Sequence, residues 1–372
     1  MQMMPRATPA TPFRDPHPAG KETIFGLQGL RFVAAAMVVM THALNREVWL
    51  YQAAAPLPRA AWMEAGVDIF FVISGFIMVY IIKPETQPGA FWLQRFTRIA
   101  PLYWLATAIA FVGGMLLPEW FFGRQDTWFA LRSALFVPLG DNSDAHPIIS
   151  PGWTLIYEFA FYTILAGCML LRRPPFALAV GVIGTILILA ALMGKWLPWL
   201  SFYGDQLLMG EFVFGMASAA IVRRLSLRPA WGLLLAATGL IGIFFLWYAP
   251  PEWPRGVRVG LPALLTVVGI LTSEPLWQRH GLLLQFARLG DASYSIYIVH
   301  FFFVTALLTL FQKSALVRDI AGPYGFIILA MVLGLGSGIL THIFIEKPLL
   351  RLVRSLLPKR RPRPALAAPA KV

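Results

Sequence analysis

Residues 25–44 read FGLQGLRFVAAAMVVMTHAL, an apolar run broken by two ionisable side chains, Arg31 and His42. At about 1.5 Å and 100° per residue, the interval between them closes three helical turns with about 20° left over. Both side chains therefore share one helix face, roughly 16 Å apart along the axis. About 20 apolar residues suffice to cross the hydrocarbon core of a bilayer. Ionisable residues inside such a span are expensive and turn toward protein or water rather than lipid, so two on one stripe mark a candidate functional helix. The plainer reading is that Arg31 snorkels to the interface and His42 ends the helix.

The same signal recurs along the chain. Of 372 residues, 58% are hydrophobic and 13% charged, with a mean hydropathy of +0.67. Such a composition excludes a soluble globular protein. The expected fold class is all-α, a polytopic membrane protein with about ten transmembrane helices. They lie near 25–44, 66–82, 99–117, 152–171, 176–194, 206–222, 230–248, 257–273, 292–312 and 323–345. The second, sixth and eighth are weakly bounded, with Asp68, Glu211 and Arg258 in or beside them. No internal repeat is visible, so one membrane domain is expected over 24–348, between a Pro- and Thr-rich disordered tail (1–23) and a basic tail (349–372).

A net charge of +13 would suggest nucleic acid in a soluble protein, but these cations cluster in alternate short loops and the C-terminal tail. Arg95 and Arg98, Arg172 and Arg173, Arg223 and Arg224, and Arg351 and Arg354 fall on one side, which the positive-inside rule makes cytoplasmic, together with both termini. Trp49, Trp120, Trp196 and Trp253 fall near the opposite span ends, as an aromatic belt requires. Cys168 stands alone, which excludes an internal disulfide, and the six histidines show no HExxH pattern, so no metal site is expected.

With that orientation, each awkward residue acquires a depth. Arg31 lies toward the cytoplasm and His42 toward the outer face. The second span, from GVDIFFVISGFIM, runs inward and sets Asp68 near its outer end with Ser74 about two turns deeper. Glu158, in PGWTLIYEFAFY, enters from the outer surface as well, so His42, Asp68 and Glu158 are expected to converge in the outer leaflet. A histidine beside carboxylates suits general base catalysis, because a carboxylate can fix the ring tautomer. Asp68 reads equally well as a helix N-cap. On the inner side, Arg95 and Arg98 are helix neighbours, fit either for a coenzyme's phosphates or for ordinary interfacial anchoring. His300, in DASYSIYIVH, reads as a polar lining residue or a hydrogen-bonded packing histidine. LGLGSGIL (333–340) follows no strand and reads as close helix packing rather than nucleotide binding.

Taken together, these stretches resemble the integral-membrane acyltransferase-3 family, which includes bacterial O-acetyltransferases of surface polysaccharides. The resemblance rests on LQGLRFVAAAMVVMTHA with Arg31 and His42, GVDIFFVISGFIM, RFTRIAPLYW, PGWTLIYEFAFY, DASYSIYIVH and FIEKPL around Glu346, in that order over nearly the whole membrane domain. It implies transfer of an acyl group, most often acetyl from acetyl-CoA, to a hydroxyl of a carbohydrate or lipid-linked glycan at or across the bacterial inner membrane. It further implies that His42 is catalytic and that Arg31 serves the donor. Some members carry an extra SGNH hydrolase-like domain; none is expected here, so the membrane domain would finish the transfer or pass the acyl group to another protein.

The resulting expectation is a donor, acyl-CoA, held by Arg31, Arg95 and Arg98, with its arm directed toward His42. His42, oriented by Glu158 or Asp68, deprotonates the acceptor hydroxyl; a covalent acyl-histidine is the variant mechanism. Ser74, Tyr103, Trp153 and Tyr294 are candidate pocket-lining or oxyanion-stabilising donors, with His300 as a further lining residue. The loop 118–149 is a candidate for acceptor recognition. The rival class is a secondary transporter or glycan flippase whose intramembrane charges line a path and make no bond.

Overall fold

The computed structural model describes residues 23–51, 60–118, 126–138, 146–171, 174–225, 227–250 and 252–357. The expectations for the tails at 1–22 and 358–372, for Arg172, Arg173 and Trp120, and for residues 119–125 and 139–145 of the candidate acceptor loop lie outside those residues. In hydrocarbon every backbone N–H and C=O must be satisfied within its own segment, which a helix achieves. Among the described residues the regular structure is helical throughout, with no strand.

The chain opens with α1 (Phe25–Tyr51), then α2 (Gly66–Ile81), α3 (Pro88–Leu116), the short α4 (Thr127–Ala134), α5 (Trp153–Leu170) and α6 (Pro175–Met193). It continues through α7 (Pro198–Gly204), α8 (Met209–Arg224), α9 (Pro229–Trp247), α10 (Arg255–Arg258), α11 (Gly260–Thr272), α12 (Glu274–Arg279) and α13 (Gly281–Arg288). The last are α14 (Ser293–Lys313), α15 (Ala315–Thr341) and α16 (Lys347–Leu356). Several begin with proline in the first turn, where its missing N–H has no intrahelical partner to lose and its fixed φ suits the helix.

Nine helices among the described residues are long and apolar enough to cross a membrane. A bent pair, Trp199–Leu207 with Met209–Arg224, makes a tenth if counted as one span. The bend of 52° arises where Gln206 and Leu207 adopt left-handed backbone conformations, φ 49° and 57°. That break is why the sixth span is weakly bounded in sequence.

Helix α1 lies at the centre, packed against α2, α11, α13, α14 and α15. Its start is set by a distant group, since the Glu274 carboxylate accepts from the backbone N–H of Phe25 and Gly26, each at 2.8 Å. Helices α6 and α9 lie outermost, with only 11% and 22% of their most apolar stretches buried by protein. Their nearly uninterrupted apolar character matches a lipid-facing position.

The tightest crossing joins α2 and α8. A Cβ on Gly75 would stand 2.2 Å from the Phe212 carbonyl oxygen, and one on Gly215 would stand 2.1 Å from that of Val72. Backbone meets backbone there, so neither side can yield by rotating a side chain. Gly75→Leu is expected to cost about 3 kcal/mol or more, read as a fall in melting temperature and monodisperse yield in detergent; an unshifted melting curve would contradict the crossing.

Candidate active site

Arg31, a turn and a half into α1, faces a cavity of about 160 Å³ enclosed by α1, α2, α3, α5 and α14. Arg95 and Arg98 enter from the first half of α3, Ser74 from α2, Glu158 and Tyr162 from α5, and Tyr294 and Tyr297 from α14. Glu158 Oε1 accepts from Ser74 Oγ at 3.1 Å and also from the Tyr162 hydroxyl. Arg98 pairs with Glu346, and its guanidinium lies 5.8 Å from the centroid of the Tyr294 ring. Arg31 donates to Gln28 at 3.0 Å, and Gln28 in turn reaches Asp291 at 2.7 Å. The Nε of Arg95 is buried without a hydrogen-bond partner among the described residues. Three guanidinia thus share one small space with Glu158 and, behind Arg98, Glu346. That excess of donors and positive charge suits an anionic, multiply oxygenated ligand group.

His42 stands at the other end of the same face of α1. Its Nδ1 is 2.9 Å from the Val38 carbonyl oxygen, and His300 Nε2 lies 3.4 Å from that same Nδ1. A carbonyl can only accept, so Nδ1 carries the proton and Nε2 keeps its lone pair for another group. His300 is fully buried and is fixed in the same way by the Ile296 carbonyl at 2.9 Å. Phe301 closes one side, 6.1 Å from the His42 ring and 5.8 Å beneath the Arg46 guanidinium. In the loop before α5, the His146 ring lies 6.5 Å from that of Trp153.

One face of α14 connects the two places. Tyr294 lines the arginine cavity, Tyr297 lies one turn further on, and the Tyr297 and His300 rings are 6.3 Å apart. Close packing seats this face: a Cβ on Gly338 of α15 would fall 2.4 Å from the Ile296 Cα, so LGLGSGIL serves helix contact, as its lack of a preceding strand suggested.

The expected convergence of His42, Asp68 and Glu158 does not occur. Asp68 is fully buried, but its carboxylate is engaged by Arg255, whose Nη2 lies at 2.7 Å and whose Nε lies at 3.1 and 3.2 Å from its two oxygens. Arg255 also lies 4.8 Å from the centroid of the Trp247 ring and bonds the Glu64 carbonyl. A bidentate guanidinium satisfies Asp68 better than an imidazole could, and the break before α8 brings α10 within its reach. Glu158 belongs with the arginines: it lines their cavity, and its carboxylate is taken by Ser74 and Tyr162. A backbone carbonyl and His300 therefore orient His42. Among the candidate oxyanion donors, Ser74 and Tyr294 line the cavity, with Tyr294 donating to the Ile99 carbonyl at 2.6 Å. Tyr103 is packed in the core, bonded to the Ser133 carbonyl at 3.2 Å and set against Phe136. Trp153 sits with His146 rather than at the cavity.

Glu346, His342, Tyr162 and Tyr297 are site residues that the expectations omitted. An acid within HIFIEKPL, one turn after a histidine, was a readable signal. Its partner Arg98, 248 residues earlier in the chain, was not.

A helical membrane bundle with a cationic cavity and a tautomer-fixed histidine at the two ends of one helix face defines an integral-membrane protein with an enclosed polar site. Residues 24–343 match the acyltransferase domain of the acyltransferase-3 family, and the chain belongs to that family of acyl-transferring enzymes. It is 31% identical to the exopolysaccharide production protein ExoZ of Rhizobium meliloti (strain 1021), over 77% of this chain and 89% of ExoZ. It is 26% identical to the acyltransferase MdmB of Streptomyces mycarofaciens, over 90% and 93% of the two chains. Similarity to the putative peptidoglycan O-acetyltransferase YrhL of Bacillus subtilis (strain 168) is 25%, over 87% of this chain and 54% of YrhL. No solved structure matches the chain.

Proposed function

We propose that this protein moves an acyl group, acetyl in the first instance, from cytoplasmic acyl-CoA to a hydroxyl of a carbohydrate or glycan acceptor at the outer side of the bacterial inner membrane. The observation that carries this reading is the pairing of Arg31 with the Arg95 and Arg98 cavity at one end of α1 and of His42, with its free Nε2, at the other. The short-loop cations support a cytoplasmic position for the arginine end. ExoZ and YrhL, by their names, point to surface polymers as the acceptor class.

In this reading Arg31, Arg95 and Arg98 hold phosphate oxygens of the donor, and its thioester arm runs along the Tyr294 and Tyr297 face of α14. His42 Nε2 takes the proton of the acceptor hydroxyl as its oxygen attacks the thioester carbonyl. The C–S bond then breaks, the ester stays on the acceptor, and the imidazolium proton balances the departing thiolate, giving CoA. Val38 and His300 hold the ring that does this, the role the sequence alone would give to Asp68 or Glu158.

The test is acetyl-CoA binding and CoA release by the purified protein in nanodiscs, compared with Arg98→Ala. A charge-assisted bond is worth about 1.5–3 kcal/mol, so donor affinity should fall about 10- to 100-fold. Failure of the wild type to bind acetyl-CoA or release CoA would overturn the reading in favour of a carrier that makes no bond.

A further inference from the structure

Glu346 takes no part in the reaction just described, yet it is 1% exposed and sits at the end of the π-helical turn His342–Glu346 that leads into α16. Its Oε1 pairs with Arg98 of α3. Its Oε2 accepts from Ser295 Oγ of α14 at 2.6 Å and from His342 Nδ1 at 2.7 Å. Three segments distant in sequence meet on one carboxylate. A carboxylate has about four lone-pair sites; with three donors in place and burial on every side, no face of Glu346 is left for a substrate.

The donors are not equivalent. His342 Nε2 is buried without a partner among the described residues. An N–H left unpaired there would cost more than a bare ring nitrogen, so the proton of the ring belongs on Nδ1, directed at Glu346. Ser295 is neutral as well. The charge of Glu346 is therefore directed at Arg98, whose side chain is 30% exposed and lines the cavity. Glu346 grips one edge of that guanidinium and the Tyr294 ring lies 5.8 Å from it, so its orientation is set before any ligand arrives. A guanidinium already held in place loses less rotamer entropy on binding.

We propose that Glu346, braced by Ser295 and His342, is a positioning residue that holds Arg98 at the angle at which it receives an anionic group of the acyl donor. The proposal rests on the donor-site reading above. A stabilising ion pair without this role would leave donor affinity untouched in the folded variant.

The experiment is a double-mutant cycle on the purified full chain in detergent, with KM for acetyl-CoA and kcat for CoA release measured in wild type, Arg98→Ala, Glu346→Gln and the double variant. Each single change is expected to raise KM about 10-fold or more with kcat within about threefold. The double variant should be no worse than Arg98→Ala, because both changes remove one contact. An unchanged KM in Arg98→Ala, or a wild type without turnover, would overturn the donor-site reading itself. If Arg98→Ala raises KM while Glu346→Gln does not, or if the two effects multiply, the donor site stands and the positioning role falls. Where Glu346→Gln does not purify as folded protein, Ser295→Ala keeps the ion pair and decides the matter. A KM rise of about threefold at unchanged kcat, roughly one neutral hydrogen bond, supports positioning, and an unchanged KM overturns it.

Discussion

His42→Ala is expected to abolish acyl transfer while leaving donor binding within about twofold of wild type. General base catalysis contributes about 10²- to 10⁴-fold, and removal of the ring takes away the only free imidazole lone pair that the His42 and His300 pair directs outward. The reason is geometric. His42 Nδ1 is held by the Val38 carbonyl at 2.9 Å, which leaves Nε2 to act, while His300 Nδ1 is held by Ile296 and its Nε2 faces His42. Donor binding is spared because the arginine cavity lies about three turns away along α1. His300→Ala should be milder, since Val38 still fixes the His42 tautomer. Single-turnover release of CoA, alongside equilibrium acetyl-CoA binding, checks both. A His42→Ala protein that transfers at the wild-type rate would remove His42 from the reaction.

Arg255→Ala is expected to destabilise the protein by about 3–5 kcal/mol, because it strands a buried carboxylate. Asp68 is fully buried and Arg255 is its bidentate partner. Removing both charges, as in Asp68→Asn with Arg255→Gln, should recover much of the loss, since the penalty comes from the unpaired ion rather than from the missing attraction. Melting temperatures in detergent give the comparison. The folded double variant should keep its donor KM, as neither residue lines the arginine cavity. If Asp68→Asn proved fully stable yet inactive, Asp68 would return to the chemistry as the sequence reading allowed.

How far the site was legible follows from where its partners lie. Arg31 and His42 are in one helix, and Arg95 and Arg98 are in another, so helical period and rise alone place each pair correctly. Asp68, Glu158 and Glu346 needed something else. Depth from the membrane surface ranks residues along one coordinate, and residues of similar depth on different helices need not meet. Asp68 lies near an end of α2, as expected, yet its neighbour there is Arg255, 187 residues on. Glu158 stands beside Ser74 and the arginines, a lateral pairing that depth along one span does not give.

The sequence by itself determined that this chain is a bundle of membrane helices, roughly where those helices run, though α1, α3 and α15 extend about two to three turns beyond the expected spans, and that Arg31 and His42 share one face of α1. Each of these depends on hydropathy and on a local period of 3.6 residues, which a linear string records. The tertiary structure alone decided which charge meets which: Arg98 with Glu346, Arg255 with Asp68, His42 with His300. Lateral packing of helices in lipid is set by close contacts such as Gly75 on Gly215 and Gly338 on Ile296. Those contacts depend on the shapes of two surfaces brought together, and hydropathy does not register shape.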